Sequence, residues 1–394
     1  MKIAVISHAY QDERYLTTLD AMARHPEIEI TLIHPEIYRG ERFRWNDSHP
    51  IAHIPVPVIF GSRQGTFLYR GGALEKALDE AQPDLILHEQ EIYALGAGQI
   101  AWVAKRRSIP LVQFVWENVD RTFGPPRRLL RRYVLARTSA MIAGSDGAKQ
   151  VHAQWGFAGP IEVVPQMSVD TERPPRFIQH GSQTFKVCFV GRLVPCKGVD
   201  CLLRAIVELH RDGFRIECAI AGEGPERRRL ARLARELGIW ALVHFRGRLS
   251  GDGVRRLLRS SDVLVLPSRR TETWEEQFGL VLAEAMAEAT VTVGSRTGAI
   301  PEVIGMEELL FDEDDVQGMA RVLQHLARDA GFFLWSQVHL WQQVRERFGT
   351  DGVAAQKVRY LSGVRDRAQA SAPGLAIESR EAKRNENPSF AQSV

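Results

Sequence analysis

The feature that most constrains this chain is an alternation repeated along most of its length. Short β-branched and apolar runs are separated by longer segments of helical periodicity. Parallel strands need crossover connections and are covered on both faces, so this pattern predicts parallel sheets flanked by helices. In the first half, strands are expected at Lys2–Ser7, Ile28–Ile33, Leu85–His88, Leu111–Val115, Met141–Ala143 and Ile161–Val164. A polar stretch from Thr171 to Thr184, with Pro174, Pro175 and Gly181, then interrupts the alternation. The pattern restarts at Lys186–Val190 and continues through Ile216–Ala221, Val243–Phe245, Val263–Leu266, Thr290–Val293 and Leu309–Phe311. The expected class is α/β, with two doubly wound domains (1–170 and 185–345) joined by a linker (171–184). Ligands are expected in the crevice beyond the carboxyl ends of the strands. From about Val316 the chain is expected to be helical. Residues 365–394 are polar and expected to be disordered, apart from a frayed helix around Ile377–Glu386.

Composition removes several classes. With 44% apolar and 25% charged residues over 394, the chain can bury a sizeable core. Lys+Arg 51 against Asp+Glu 48 leaves +3, too balanced for nucleic acid to be a general partner. Cys188, Cys196, Cys201 and Cys218 form no C-x-x-C pair, so neither a zinc site nor a disulfide framework is indicated, and reduced thiols suit a cytoplasmic protein. The apolar run Ile3–Ile6 is too short for a signal-peptide core, and no stretch reaches the roughly 18 apolar residues of a spanning helix. At most a peripheral contact at the inner membrane face is expected.

Two segments carry candidate chemistry. In Leu266–Ala289 a strand ends at Pro267, a loop rich in Glu and Arg follows, and a helix opens around Gly279. Glu276 falls in the loop and Glu284 about two turns into the helix. Leu280, Val281, Leu282, Ala283, Ala285, Met286 and Ala287 make that helix apolar on almost every side, which predicts burial. An unpaired carboxylate there is costly, so Glu284 is expected to accept hydrogen bonds from protein or ligand groups. The plainer alternative is a solvated or salt-bridged side chain. The amides of Phe278, Gly279 and Leu280 lie at the helix start, where unpaired N–H groups attract anions. In Val187–Ala205, a buried strand runs into a loop bounded by Gly191 and Gly198 that carries Arg192 and Lys197, with Asp200 placed to cap the next helix. Arg192 can fork onto two phosphate oxygens while Lys197 acts as a point charge, which suits a diphosphate; solvated loop cations are the alternative.

A third segment, Pro125–Leu135, places Arg127, Arg128, Arg131 and Arg132 on one helical face, with Leu129, Leu130, Tyr133 and Val134 offset. Such a helix suits an anionic membrane or a phosphorylated lipid acceptor, although the commoner arrangement packs the apolar stripe on a sheet. Asp312-Glu313-Asp314 superficially supplies a metal-binding acidic pair and reads as a solvated turn. Gly222-Glu223-Gly224 is a weak nucleotide signal without the rest of a G-x-G-x-x-G pattern.

In this combination the chain resembles the retaining glycosyltransferases of family 4, which have the GT-B fold. The matching stretches are Gly191-Arg192-Leu193 with Lys197-Gly198-Val199-Asp200, Ala221-Gly222-Glu223-Gly224-Pro225, Phe245-Arg246-Gly247, and the strand from Ser261-Asp262 to Pro267-Ser268. Glu276-x7-Glu284 followed by Ala285-Met286-Ala287, and Gly298-Ala299-Ile300-Pro301-Glu302-Val303, complete the second domain. The match continues more loosely through Ile142-Ala143-Gly144-Ser145 and Val164-Pro165-Gln166 to Val169-Asp170.

The resemblance implies two Rossmann-like domains facing a central cleft, with a C-terminal helix, here 346–364, crossing back toward the first domain. It implies a nucleoside diphosphate sugar as donor, a glycan, lipid-linked or small-molecule hydroxyl as acceptor, and no metal or cofactor. Gly191, Arg192, Lys197 and the Phe278, Gly279 and Leu280 amides would hold the diphosphate, Glu276 would lie beside the donor sugar and Glu284 would bind the ribose. Arg192, Lys197 and Glu276 would be catalytic. The chain departs from the family where Ser7-His8-Ala9-Tyr10 lacks a glycine-rich loop. It also has Trp116-Glu117-Asn118 where many members have a histidine, so Glu117 or Asn118 is expected to take over contacts to the transferred sugar or acceptor. Glu288-Ala289-Thr290-Val291 replaces a C-G-x-P pattern. A non-catalytic nucleotide-sugar or glycan-binding protein is the alternative, and an epimerase or pyridoxal-phosphate phosphorylase of the same fold suits the pattern around the two glutamates less well.

Overall fold

Two parallel sheets account for the alternation in the computed structural model, which describes residues 1–10, 16–46, 48–60, 65–177 and 184–370. Part of the expected linker and the expected frayed helix lie outside the described residues. The first sheet comprises β1 (Lys2–Ser7), β2 (Glu29–Pro35), β3 (Ala52–Val56), β4 (Leu85–Glu89), β5 (Leu111–Val115), β6 (Ala140–Ala143) and β7 (Ile161–Val163), in the order β7-β6-β5-β4-β1-β2-β3. The second comprises β8 (Phe185–Val190), β9 (Ile216–Ala221), β10 (Val243–Gly247), β11 (Val263–Leu266), β12 (Val291–Ser295) and β13 (Leu310–Phe311), in the order β10-β9-β8-β11-β12-β13.

Every pairing in these two sheets is parallel. In both, the chain winds outward from its first strand and then returns to the other side of it. The loops leaving β1 and β4, and those leaving β8 and β11, therefore diverge and open a crevice. The two-domain α/β expectation holds. Strands buried on both faces, such as β4, β11 and β12, match their apolar runs closely. β3 was not expected, because this edge strand contains Pro55 and buries only Val56, leaving no apolar run to read.

The Ala330–Phe348 helix packs on the second domain, and the chain breaks at Gly349 before the Thr350–Ala370 helix. The crossing helix thus begins at the break rather than at 346. Its Val353, Ala354, Val358, Leu361 and Val364 join Ile3, Val5, Leu85 and Leu87 in a core of the first domain. Burying each larger aliphatic stabilises this return by about 1.5–3 kcal/mol. Lys357, on the same helix, is 1% exposed and donates to the Gln166 carbonyl at 2.7 Å; burial lowers its pKa to about 8. The return is also fixed where Val169 bridges Gly349.

The Pro125–Leu135 helix corrects one expectation. Leu130 packs against Gly98, and Val134 and Leu135 are buried. Arg131 does not share an exposed face with the other arginines: its guanidinium lies 4.3 Å from the Trp155 ring centroid and 5.7 Å from that of Phe123, as cation–π attraction favours. Arg127, Arg128 and Arg132 remain exposed, beside a Leu129 that is 68% exposed. No described helix is long and apolar enough to cross a membrane.

Burial lowers the pKa values of His8, His34, His88 and His152 from 6.5 to about 4. The unfolded chain takes up these protons near pH 6.5 and the folded chain only near pH 4, so stability falls as pH drops through that window. Thermal denaturation from pH 7 to 4.5 should show a falling Tm, and the fall should be shallower in His152→Leu. Identical pH slopes for the two proteins would contradict this origin.

Candidate functional site

The crevice of the second sheet brings together what the sequence separates. The loop after β8 is held by backbone bonds to the turn after β9: Gly191 N to Ala221 O at 3.0 Å, Leu193 N to Glu223 O at 2.9 Å and Glu226 N to Leu193 O at 3.1 Å. The Gly222-Glu223-Gly224 turn therefore clamps the cation loop. That loop ends at Gly198, whose φ is +63° and where a Cβ would come 1.9 Å from the Pro267 carbonyl oxygen. Only glycine permits this approach, which seats the loop after β8 on the end of β11. Gly198 is also the N-cap of the Val199–Arg211 helix, so the expected capping role of Asp200 is corrected. Asp200 instead forks onto Arg269 at 2.8 and 3.1 Å, a bidentate pair that ties the two loops together.

Lys197 Nζ lies 2.5 Å from Glu276 Oε2, with the two side chains 12% and 10% exposed. The ammonium is 4.8 Å from the Trp274 ring centroid, and the fully buried Ser268 hydroxyl donates to the same Glu276 oxygen at 2.8 Å. The Glu276 backbone is fixed as well. Its carbonyl accepts from Ala299 N at 2.9 Å and from Asn118 Nδ2 of the first domain at 2.9 Å. A Cβ on Gly298 would come 2.1 Å from that carbonyl, so the glycine allows the approach. An ammonium has three N–H donors, and the contact with Glu276 leaves Lys197 able to serve another anion. Arg192 is exposed on the same loop.

Glu284 sits a little over one turn into the Leu280–Ala287 helix, rather than two. Leu282, Ala283, Ala285, Met286 and Ala287 are buried as expected, whereas Leu280 and Glu284 are half-buried. These two line a cavity of about 570 Å³ that also meets Ser250, Val254, Ser168 and Asp170. Gly279 caps the helix, and Phe278 is anchored edge-to-face on Phe348 at 5.3 Å. The 278–280 amides lie before the first intrahelical bond.

In the first domain, the Glu117 carboxylate is 1% exposed and committed to Arg121 at 2.8 Å and the Tyr93 hydroxyl at 2.9 Å. Glu91 beside it is pushed up to about 8, chiefly by burial and then by Glu117. Sequence reasoning missed Glu91; its only signal is its position just past β4 in the first crevice. Ser268 and Trp274 were also assigned no role, although both lie between Pro267 and Glu276. The acidic turn is solvated as expected: Asp312 and Asp314 are exposed and make surface pairs with Arg296 and Arg269, and Glu313 accepts from the Arg270 amide. Among the described residues, no group of three or more His, Cys, Asp or Glu could hold a metal ion.

Comparison with known proteins identifies the family and the fold. The family model described as "Glycosyltransferase Family 4" matches residues 13–173, and that described as "Glycosyl transferases group 1" matches residues 170–338. The chain belongs to the family-4-like glycosyltransferases of GT-B fold. Within this family it is 34% identical over 181 residues to an uncharacterized glycosyltransferase of Methanocaldococcus jannaschii, covering 44% of this chain and 43% of that protein. It is 33% identical over 261 residues to D-inositol 3-phosphate glycosyltransferase of Mycobacterium bovis, covering 59% and 52% respectively. The chain thus matches about half the length of these curated relatives. Among solved structures, sucrose-phosphate synthase from Thermosynechococcus elongatus superposes with a TM-score of 0.72 at 17% identity, covering 92% of this chain and 98% of that one. Anabaena HepE in complex with UDP gives a TM-score of 0.73 at 18% identity, covering 92% and 100%. These two likenesses establish the GT-B fold.

The Gly198 contact yields a direct comparison. Gly213 also has a positive φ, +84°, but a Cβ there would meet nothing within 4 Å. Gly213→Ala should cost about 1 kcal/mol, from backbone conformation alone. Gly198→Ala should cost about 2–4 kcal/mol, because a steric displacement adds to that term. Urea denaturation of both variants measures the difference, and equal costs would contradict the close approach.

Proposed function

We propose that the protein is a retaining hexosyltransferase that moves a sugar from a nucleoside diphosphate to a hydroxyl of a glycan, lipid-linked or small-molecule acceptor, in polysaccharide or glycoconjugate biosynthesis. The observation that carries the reading is the Lys197–Glu276 pair at the crevice of the second sheet, with Ser268 on the same carboxylate oxygen. Crystal structures of Anabaena HepE with UDP and with UDP-glucose lend support through the shared fold. Retention rests on the family resemblance.

In this reading Arg192 and Lys197 face the diphosphate and stabilise the charge that develops on it as the glycosidic bond breaks. The 278–280 amides add the positive end of the Leu280–Ala287 helix. Glu284, on the wall of the cavity, accepts from the ribose hydroxyls. Glu276 lies beside the sugar, where its carboxylate favours positive charge at the anomeric carbon. Closure of the two domains excludes water, whose attack would hydrolyse the donor. The exposed Arg127, Arg128 and Arg132 around Leu129 give the first domain a face suited to peripheral contact with anionic lipid.

Calorimetry with UDP, GDP and ADP, followed by turnover with the corresponding nucleotide sugars, tests the reading. The nucleotide that binds should do so about 10–100-fold more weakly to Arg192→Ala and to Lys197→Ala, as loss of a charged hydrogen bond implies. Glu276→Gln should lower kcat about 100–1,000-fold while nucleotide affinity stays within about threefold. Unchanged affinity in both cation variants would remove the diphosphate assignment. For the lipid contact, wild-type protein should co-sediment with phosphatidylglycerol vesicles at low salt, and Leu129→Glu should not.

A further inference from the structure

The side chain that reaches from the first domain to Glu276 is Asn118. It follows β5, is 7% exposed, and donates through Nδ2 to the Glu276 backbone carbonyl at 2.9 Å. The orientation of the amide is fixed by chemistry, since a carbonyl oxygen can only accept a hydrogen bond. Its other end, Oδ1, is buried with no hydrogen-bond partner among the described residues.

The surroundings of Asn118 join the two domains at a second point. A Cβ on Gly147 would lie 3.4 Å from the Asn118 Cβ, which places Asn118 against the start of the Asp146–Gln154 helix. The Asp146 amide of that helix donates to Glu302 Oε2 at 3.0 Å, a second bond to the other domain. Glu302 belongs to the same segment as Gly298, which allows the close approach, and Ala299, whose amide donates to the Glu276 carbonyl. One patch of the first domain therefore grips the backbone of the residue whose carboxylate meets Lys197.

The geometry points to Asn118 as a positioning residue that makes the productive placement of Glu276 conditional on contact between the two domains. This inference rests on the function proposed above. When the domains meet, Asn118 Nδ2 and Ala299 N both donate to the Glu276 carbonyl, and the carboxylate is held toward Lys197 and Ser268. When they part, the carbonyl keeps only the Ala299 bond and Glu276 loses one restraint. Binding of a nucleoside diphosphate by Arg192 and Lys197 does not require Asn118, but sugar transfer does. A displacement of about 1 Å at a catalytic group is enough to cost about 100-fold in rate.

Asn118→Asp separates this role from simple packing. The substitution is isosteric, but an ionised carboxylate cannot donate and repels the Glu276 carbonyl. Protonation restores a donor, and burial raises the pKa at which that occurs. Turnover is followed as nucleoside diphosphate release from a panel of UDP-, GDP- and ADP-linked hexoses, with glycerol at molar concentration as a generic hydroxyl acceptor. At pH 8, Asn118→Asp should lose about 100-fold in kcat and Asn118→Ala about 10-fold, with affinity for the free nucleotide within about threefold of wild type. As pH falls to 5.5, the ratio of Asn118→Asp to wild-type kcat should recover about 10-fold, whereas the Asn118→Ala ratio should stay flat.

Near-wild-type turnover of Asn118→Asp at pH 8, or a ratio that does not change with pH, would overturn the assignment. A parallel loss of nucleotide affinity or a large fall in Tm would make Asn118 a structural residue and overturn it as well. If wild-type protein turns over none of the panel, the proposed function falls and this inference with it. Turnover by wild type with a flat Asn118→Asp ratio removes the inference alone.

Discussion

The close approach of Gly198 to the Pro267 carbonyl is the contact on which the site depends. It seats the loop after β8 on the end of β11, and so brings the cation of one loop to the carboxylate of the other. Any side chain at Gly198 would enter the carbonyl oxygen of Pro267, where an added Cβ would lie 1.9 Å away. The bidentate Arg269–Asp200 pair and the backbone bonds to the turn after β9 fix the same loop from other directions. Lys197 and Glu276 are therefore held by a frame made of the protein's own contacts.

That frame makes a nearly buried ion pair tolerable. Two charges so removed from water are weak evidence for stability, because desolvation offsets most of their attraction. Their retention makes sense if the pair is useful: Glu276 holds the Lys197 ammonium in place until a larger anion arrives at the loop. The crevice also joins the domains energetically. Glu276 is held by its carboxylate within the second domain and by its carbonyl partly from the first, while the Thr350–Ala370 helix returns across the boundary and buries Lys357 against the Gln166 carbonyl of the first domain. The domains meet around the residue expected to lie at the reacting sugar.

Most of the fold was legible in the sequence because its central strands are covered on both faces and must be continuous apolar runs. The β3 edge strand, which has no such constraint, was not. Cation and acid candidates were also legible, since Arg192, Lys197, Glu276 and Glu284 lie beside strand ends or helix starts. Their assembly was not, because it depends on strand order: Lys197 and Glu276 are 79 residues apart, and Asn118 and Glu276 are 158 apart. Helical periodicity placed Arg131 with its neighbours on an exposed face, but could not foresee that Trp155, far along the chain, would draw it inward. The crossing helix was expected from 346, but its start at the Gly349 break is set by packing, because the helices on either side bury against different domains. The expectations of donor class, retention and individual roles came from the family resemblance, since spacing alone contains none of them.

The most direct measurement is a crystal structure of the wild-type protein with the nucleoside diphosphate that it binds most tightly. The account predicts diphosphate oxygens within hydrogen-bonding distance of Lys197 Nζ and the Arg192 guanidinium, with the ribose on Glu284 in the cavity beside the Leu280–Ala287 helix. A nucleotide bound elsewhere, with Lys197 and Arg192 free of phosphate, would contradict it.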